Sequence, residues 1–473
     1  MTDWISRVEE WLRHLAERLA SELSWSRLVA LGACGLAGQI LWSHYGILWH
    51  KRLPYHDLGP PIIGHTRKVF QESLENWGQR IMKGKPVLLA NYLFTNTVVI
   101  RHEIYMKHVH RAELDGKLCP LFPSSIRAII GENSVISLPG GKGHSKHKRL
   151  RGKLLRCLGP QYVLSLAKEM ESYIRATLED LAEETSTKGF GTFEPAAGHL
   201  AQKISILPIL AGLEEDQQRR FESLLEVTMA GMLAAPVNLG VWLAHGRALR
   251  ARKEISTMIA QLMASPKLDG QNIVAELMKD SDDGEAFSKE EISDTVVTLL
   301  FAGKITTADA LPFLLVQLAE HRECIPQLAS EPLEVSNIEG DSVALRVVRE
   351  ALRLKPPAGA FRRVNWHSEM DLGEYGVVPK GCPMAIYLSL PMIEMGPWAP
   401  DRWRTEDVRS KFLAFGGAQP HECIGKHLAL LELQLFVKIL CKDYDFKVLD
   451  TGTVVKPFSL SYKDGLRVEI TRK

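Results

Sequence analysis

Apolar and polar positions follow different periods in different stretches of the chain. Over residues 3–27, Ile5, Val8, Leu12, Leu15, Leu19 and Leu23 recur at helical spacing, with Glu9, Arg13, Glu17, Arg18 and Glu22 on other faces. This pattern predicts an amphipathic helix, either on a protein surface or lying on a membrane. Residues 28–49 then hold no Asp, Glu, Lys or Arg, and Trp42, Tyr45 and Trp49 sit where an aromatic interface belt would. A bilayer core needs roughly 20 such residues, so this run reads as a membrane anchor, with a buried apolar helix as the alternative. The prolines of Lys51-Arg52-Leu53-Pro54 and Leu58-Gly59-Pro60-Pro61-Ile62-Ile63-Gly64 cannot continue a helix and predict a stiff hinge. The expected organisation is an amphipathic helix and anchor over 1–49, then a single body over 50–473.

Within the body, VLLANYLFTNTVVI at residues 87–100 contains two β-rich runs and predicts a strand pair broken near Asn96. Helical spacing recurs over residues 162–184, 217–232, 255–263 and 288–321, and again over 426–442 after a glycine-rich loop. Short strands are expected near 373–378 and between 446 and 470. The fold class is therefore mainly α with a small β part.

Composition narrows the partners. Of 473 residues, 45% are hydrophobic and 24% charged, and the net charge is +2, so no strong field or basic stripe favours nucleic acid. The 7 cysteines are scattered without a C-x-x-C pair. That argues against a disulfide framework or a structural zinc site and leaves most of them as ordinary buried thiols.

Four segments carry candidate chemistry. In Phe415-Gly-Gly-Ala-Gln-Pro-His421-Glu-Cys423-Ile-Gly425, a cysteine stands in a glycine-rich loop just before a helix. Amide donors and the helix dipole there favour a thiolate, the form that binds metal, and Gly425 would let backbone come close. The bland alternative is a buried structural cysteine. In Arg349-Glu350-Ala351-Leu352-Arg353, Glu350 and Arg353 share a helix face, and Arg402 in Pro400-Asp401-Arg402-Trp403 is a candidate third partner. In Phe301-Ala302-Gly303-Lys304-Ile305-Thr306-Thr307-Ala308-Asp309, small residues in a long helix leave room for a bulky planar ligand. There the Thr306 hydroxyl can bond a bound oxygen or its own backbone. The basic run His144-Ser-Lys-His147-Lys-Arg-Leu-Arg151-Gly-Lys153 is a solvated face or a partner for cofactor carboxylates.

Taken together, in this order and spacing, these segments resemble the cytochrome P450 superfamily over about residues 50–473. The resemblance implies that Cys423 is the axial ligand of a b-type haem. It implies haem contacts for His147, Arg151, Arg362, His421 and Gly425, a structural triad of Glu350, Arg353 and Arg402, and an oxygen-activating role for Thr306. Two departures stand out. Phe415 lies eight residues before Cys423 where seven is usual, and Ile305 occupies the place of the usual acid before the threonine. Asp309, at i+3 from Thr306, is the candidate substitute. Phe122-Pro-Ser-Ser-Ile126, Ile129-Ile130-Gly131 and Ser134-Val135-Ile136 look like the branch of retinoic-acid hydroxylases and plant steroid and triterpenoid hydroxylases.

The resemblance implies a monooxygenase acting on a lipophilic, isoprenoid substrate. Its electrons would come from NADPH through a cytochrome P450 reductase, or from a ferredoxin, docking near Lys146, Lys148, Lys153, Lys411 and Lys426. The expected setting is a monomer on the endoplasmic reticulum membrane, with the body in the cytosol. A haem-thiolate isomerase or dehydratase acting on a lipid hydroperoxide without a reductase is the second reading. A non-catalytic haem- or lipid-binding protein is the third.

Overall fold

The computed structural model describes residues 34, 38, 39, 41, 45, 53–210, 215–232, 234, 240–265, 272–279, 286–417, 419–456 and 459–473. The expected amphipathic helix and most of the expected anchor lie outside these residues.

The described part of the proline-rich stretch forms a folded turn against the body. Gly59 and Gly64 adopt positive φ, and the His65 amide donates to Asn91 O at 2.6 Å. A Cβ on Gly64 would meet Asn91 O at 2.3 Å, so only glycine lets the turn approach the sheet this closely. Strand β1 (His56–Asp57) runs parallel to β2 (Val87–Tyr92), which forms an antiparallel hairpin with β3 (Thr95–Arg101). The hairpin turns at Leu93 and Phe94, both at positive φ, and not at Asn96. Asn96 pairs across the ladder with Asn91, whose Nδ2 donates to its Oδ1 at 2.7 Å. The expected strand pair is present with its turn two residues earlier, because residues without the usual turn chemistry occupy the left-handed positions.

The chain continues through β4 (Cys119–Pro120), α1 (Ser124–Ile130), α2 (Ser145–Cys157), α3 (Ala167–Lys188), β5 (Gly191–Thr192), α4 (Phe193–Leu210), α5 (Glu215–Met232) and α6 (Ala244–Met263). The helix expected over 162–184 is two helices, Pro160–Ser165 and α3, separated at Leu166. Helix α6 begins eleven residues before the expected start. Its first half is polar in sequence, yet Gly231 lets α5 come so close that a Cβ there would lie 2.1 Å from Ala248 Cβ.

Helix α7 (Lys289–Glu320) is the axis of the body. Ser288 caps it in a reciprocal capping box with Glu291. Apolar residues are buried around most of its circumference, which marks a core helix. Among the described residues it is the helix long and apolar enough to cross a membrane, but it runs through the protein interior. Helices α8 (Val343–Leu354) and α9 (Lys426–Asp443) complete the main core with α3, α4 and α7. Each leucine fully buried there contributes roughly 1.5–3 kcal/mol.

Strands β6 (Ala360–Val364), β7 (Met370–Asp371), β8 (Val377–Val378) and β9 (Met384–Tyr387) lie between α8 and α9. The main sheet has the order β1-β2-β3-β9-β6-β4. The strand expected at 373–378 is a short 3-10 turn followed by β8, which pairs with β7. After α9 come β10 (Tyr444–Val448), β11 (Thr453–Lys456), β12 (Ser459–Tyr462) and β13 (Arg467–Arg472), in two small antiparallel sheets.

Glu350 on α8 shows how the body is locked. It is fully buried and accepts from Arg353 Nε at 3.0 Å and Nη2 at 2.8 Å, and from Arg402 Nε at 3.2 Å. Trp403 Nε1 at 2.9 Å and the Ala399 amide at 2.8 Å also donate to it. The third partner suggested by the sequence is present, together with two donors that no spacing rule indicates.

Candidate active site

The loop before α9 bends where glycine permits it: Gly416 and Gly417 have φ of 101° and 70°. The Cys423 amide donates to Phe415 O at 2.8 Å, which closes the loop on itself. Around Gln419 the loop is held by His110, whose Nε2 lies 2.7 Å from Gln419 O, and by Gln419 Nε2 donating to Glu422 at 3.1 Å. Gly425 is the N-cap of α9 at an ordinary φ of −82°. Its smallness therefore provides room and not conformation. A Cβ there would meet only Cys423 Sγ, at 4.0 Å, and would project into a cavity.

That cavity, of about 360 Å³, lies between α7 and the cysteine loop. The Cys423 side chain opens into it while protein surrounds the loop. Burial pushes the thiol up, opposed by a hydrogen bond from the Gly425 amide and by the Arg151 charge. A metal cation at the sulfur would reverse that balance.

A cationic cluster lines one end. Arg151 of α2 donates from Nη1 to Glu422 O at 2.6 Å, and its Nε is buried without a partner. The His147 and His421 rings lie 4.7 Å apart. Burial, then the charges of Arg151 and its neighbours, holds His147 down to about 4. Burial, then Arg363, holds His421 down to about 2. His421 Nε2 is buried and unpartnered, 3.5 Å from Glu113 Oε1 without a hydrogen bond. Glu113 is the acid of the cluster and accepts from Arg363 and from Tyr105.

Arg363, and not Arg362, reaches this cavity. Arg362 donates to Thr97 Oγ1 at 3.2 Å and lies over the Tyr92 ring on the other side of the sheet. Adjacent strand residues point to opposite faces, so the choice between two neighbouring arginines depends on a register that Phe-Arg-Arg-Val does not reveal. Glu113 and Tyr105 carry no recognisable sequence signal, and neither was expected at the site.

Across the cavity, Ala302, Gly303, Thr306 and Thr307 of α7 form the wall. Thr306 Oγ1 donates to Ala302 O at 2.8 Å. Ile305 is not part of this wall, and Asp309 turns away from it. The Asp309 carboxylate lies 3.5 Å from Lys355 Nζ, and a partly buried carboxylate beside an ammonium has no reason to face an apolar cavity. Lys304 points to another face, where it donates to Gln202 and lies 3.6 Å from Glu226. Glu432 of α9 also lines the cavity. It is buried, its Oε1 has no partner, and desolvation raises its pKa well above the usual carboxylate range.

Most of the lysines expected to face a redox partner are already engaged. Lys153 is buried against the carbonyls of Glu276 and Lys279. Lys146 pairs with Glu291, Lys411 with Asp407 and Lys426 with Glu339. Lys148 is exposed.

The described residues fit a haem. They present a thiol on the cavity wall, space at Gly425, the charges of Arg151 and Arg363, and buried nitrogens of Arg151 and His421 that lack partners. Comparison with known proteins agrees. The family model described as cytochrome P450 matches residues 245–468. A protein described as cytochrome P450 85A from Phaseolus vulgaris is 23% identical, covering 89% of this chain and 92% of its own length. The taxane 13-alpha-hydroxylase of Taxus cuspidata is 26% identical over the same shares of the two chains. The retinoic acid-bound structure of cyanobacterial CYP120A1 superposes with a TM-score of 0.75 at 21% identity, covering 89% of this chain and all of that one. With the sequence motifs, the fold and the relatives in agreement, the chain belongs to the cytochrome P450 superfamily of oxidoreductases.

Proposed function

We propose that this chain is a membrane-anchored haem-thiolate monooxygenase that hydroxylates a lipophilic isoprenoid. One observation carries the reading: Cys423, the arginine and histidine cluster with its unpartnered Arg151 and His421 nitrogens, and the Thr306 hydroxyl all open onto one apolar-walled cavity. Cys423 is the residue to ligate the iron. Arg151, Arg363, His147 and His421 are the residues to meet the haem carboxylates, with Arg363 replacing Arg362. When bound, the haem supplies the oxygen chemistry, and the thiolate ligand favours O–O cleavage. The protein's own task is to exclude water, orient the substrate and manage protons. Thr306 already donates to Ala302 O, so its free lone pairs can accept a hydrogen bond from water. Asp309 is held by Lys355, which leaves Thr306 as the proton-handling group on this wall.

The rest of the proposal follows the family resemblance and the apolar run at 28–49. Residues 1–49 anchor the chain in the endoplasmic reticulum membrane and residues 50–473 face the cytosol as a monomer. Electrons arrive from NADPH through a cytochrome P450 reductase or from a ferredoxin. The isoprenoid class draws support from the taxane 13-alpha-hydroxylase relative. A second reading, isomerisation or dehydration of a lipid hydroperoxide, is favoured by one observation: Ile305 stands where an acid is usual, and no carboxylate on α7 lines the cavity among the described residues.

Purified protein assayed with reductase and NADPH, and separately with a lipid hydroperoxide alone, separates the two. Product in the first arm supports the monooxygenase, and efficient turnover only in the second overturns it. Cys423→Ala should abolish the red-shifted band of the reduced carbon monoxide adduct, and replacement of each other cysteine should leave it intact. Persistence of that band in Cys423→Ala would refute the ligand assignment.

A further inference from the structure

The cavity lining is chemically uneven. Among the described lining residues, both arginines, Arg151 and Arg363, belong to one cluster with His147 and His421, joined through Glu113, Glu422 and the ring contact. Elsewhere the lining includes Ile136, Ile209 and Leu299, with two hydroxyls, Ser205 of α4 and Thr298 of α7.

Both hydroxyls already have backbone acceptors: Ser205 Oγ donates to Gln202 O at 2.9 Å, and Thr298 Oγ1 donates to Ile130 O at 3.3 Å. Each oxygen keeps lone pairs, so each can accept a hydrogen bond from a guest without giving up the bond it donates. Lys304 is the cation on α7 nearest to this region in sequence. It does not line the cavity and is engaged by Gln202 and Glu226. Residues 211–214 and 233–239, which follow α4 and α5 in the chain, contain no Lys or Arg. Glu432, with an unpartnered oxygen on the cavity wall and a pKa held well above the carboxylate range by burial, brings no cation.

We infer that the enzyme takes an electrically neutral lipid, an alcohol or a hydrocarbon, and discriminates against the free carboxylate of the same skeleton. The inference rests on the proposed haem site, because carboxylates of the cofactor would occupy the one cationic cluster. A guest carboxylate away from that cluster would be buried against described side chains that carry no cation, and burial of an unpaired charge is strongly disfavoured. A guest hydroxyl can instead donate to Ser205 or Thr298.

The test compares matched pairs on the haem-loaded protein: retinol with retinoic acid, farnesol with farnesoic acid, and hexadecanol with palmitic acid. Binding is read by equilibrium dialysis and by the shift of the haem absorbance. At pH 7.5 the alcohol of each pair that binds should be at least tenfold tighter than the acid. The acid should tighten as pH is lowered through its own carboxyl range. Ser205→Ala combined with Thr298→Val should shrink the alcohol's advantage several-fold while a hydrocarbon of the same skeleton is held as before. An acid that binds as tightly as its alcohol, or tighter, overturns the inference and leaves the lipid reading intact. If no member of any pair binds to protein that shows the thiolate–carbon monoxide band, both the lipid reading and this inference fail.

Discussion

Two buried clusters in this molecule are built from the same parts and finished to different degrees. Around Glu350, a carboxylate with no exposed surface meets Arg353, Arg402, the Trp403 indole and the Ala399 amide. Around Glu113, a carboxylate equally buried meets Arg363 and Tyr105, but Arg151 Nε and His421 Nε2 beside it have no partner. Desolvating a charge is repaid only when its hydrogen-bonding capacity is met. The first cluster is therefore complete as protein. The second is complete only with a guest that brings negative charge, and the cavity beside it shows where that guest sits.

The largest expected effect is at the finished cluster. Glu350→Ala strands two arginines and should cost roughly 3–5 kcal/mol, measured by denaturant unfolding, whether or not haem is loaded. A normal unfolding midpoint would show that the cluster is not what holds α8 to the 396–403 segment. At the unfinished cluster, Arg151→Leu should speed haem loss to an acceptor protein by about tenfold or more, the scale of roughly 1.4 kcal/mol per decade. It should leave the haem-free protein about as stable as before, because the charge removed had an open donor. Arg363 is less suited to this test, since its loss would strand Glu113. Arg362→Leu, remote from the cavity, should release haem at the wild-type rate, and fast release would restore it as a contact.

The histidines sharpen the contrast through pH. His147 and His421 are held below the ordinary 6.5, at about 4 and about 2, by burial and nearby cations. A base with a depressed folded-state pKa takes its proton more readily when unfolded. Its contribution is full above about pH 6.5 and is lost as pH falls toward those values, at up to about 1.4 kcal/mol per pH unit for each group. Unfolding of haem-free protein between pH 7 and 5 should show this slope. Haem-loaded protein should show a shallower one, because carboxylates beside the rings favour the charged form. Identical slopes would separate the histidines from the haem carboxylates. The smallest effects concern α7, where Asp309 has its Lys355 and Thr306 faces the cavity. Thr306→Ala should lower the coupling of NADPH to product several-fold and release more peroxide, while Asp309→Asn should change it less than twofold. A comparable loss in both variants would return Asp309 to the proton path.

What could be read from the sequence follows from which physical signals are local. The helical spacing over 288–321, the glycines before Cys423 and the pairing of Glu350 with Arg353 are short-range patterns, and each predicts a local geometry. The hairpin turn was misplaced because Leu93 and Phe94 lack the residues that usually mark left-handed positions. Arg362 was preferred to Arg363 because a one-residue difference in a strand changes the face without changing the composition. Glu113 and Tyr105 are joined to the site only by tertiary packing. Asp309 met the i+3 rule, and a lysine on a distant segment decided its direction.

One contact in the cavity wall bears on how this enzyme could diversify. A Cβ placed on Gly303 would stand 2.8 Å from Ser205 Cβ, so α4 and α7 meet there almost backbone to backbone. Neither residue carries the reacting chemistry, yet together they set the spacing of two helices that bound the cavity. Gly303→Ala would have to move one helix, and pairing it with Ser205→Gly would let the helix return. Selection for bulkier or slimmer guests can thus act on this pair as a joint size control, and single-site libraries that sample the two positions separately would miss the compensated combinations.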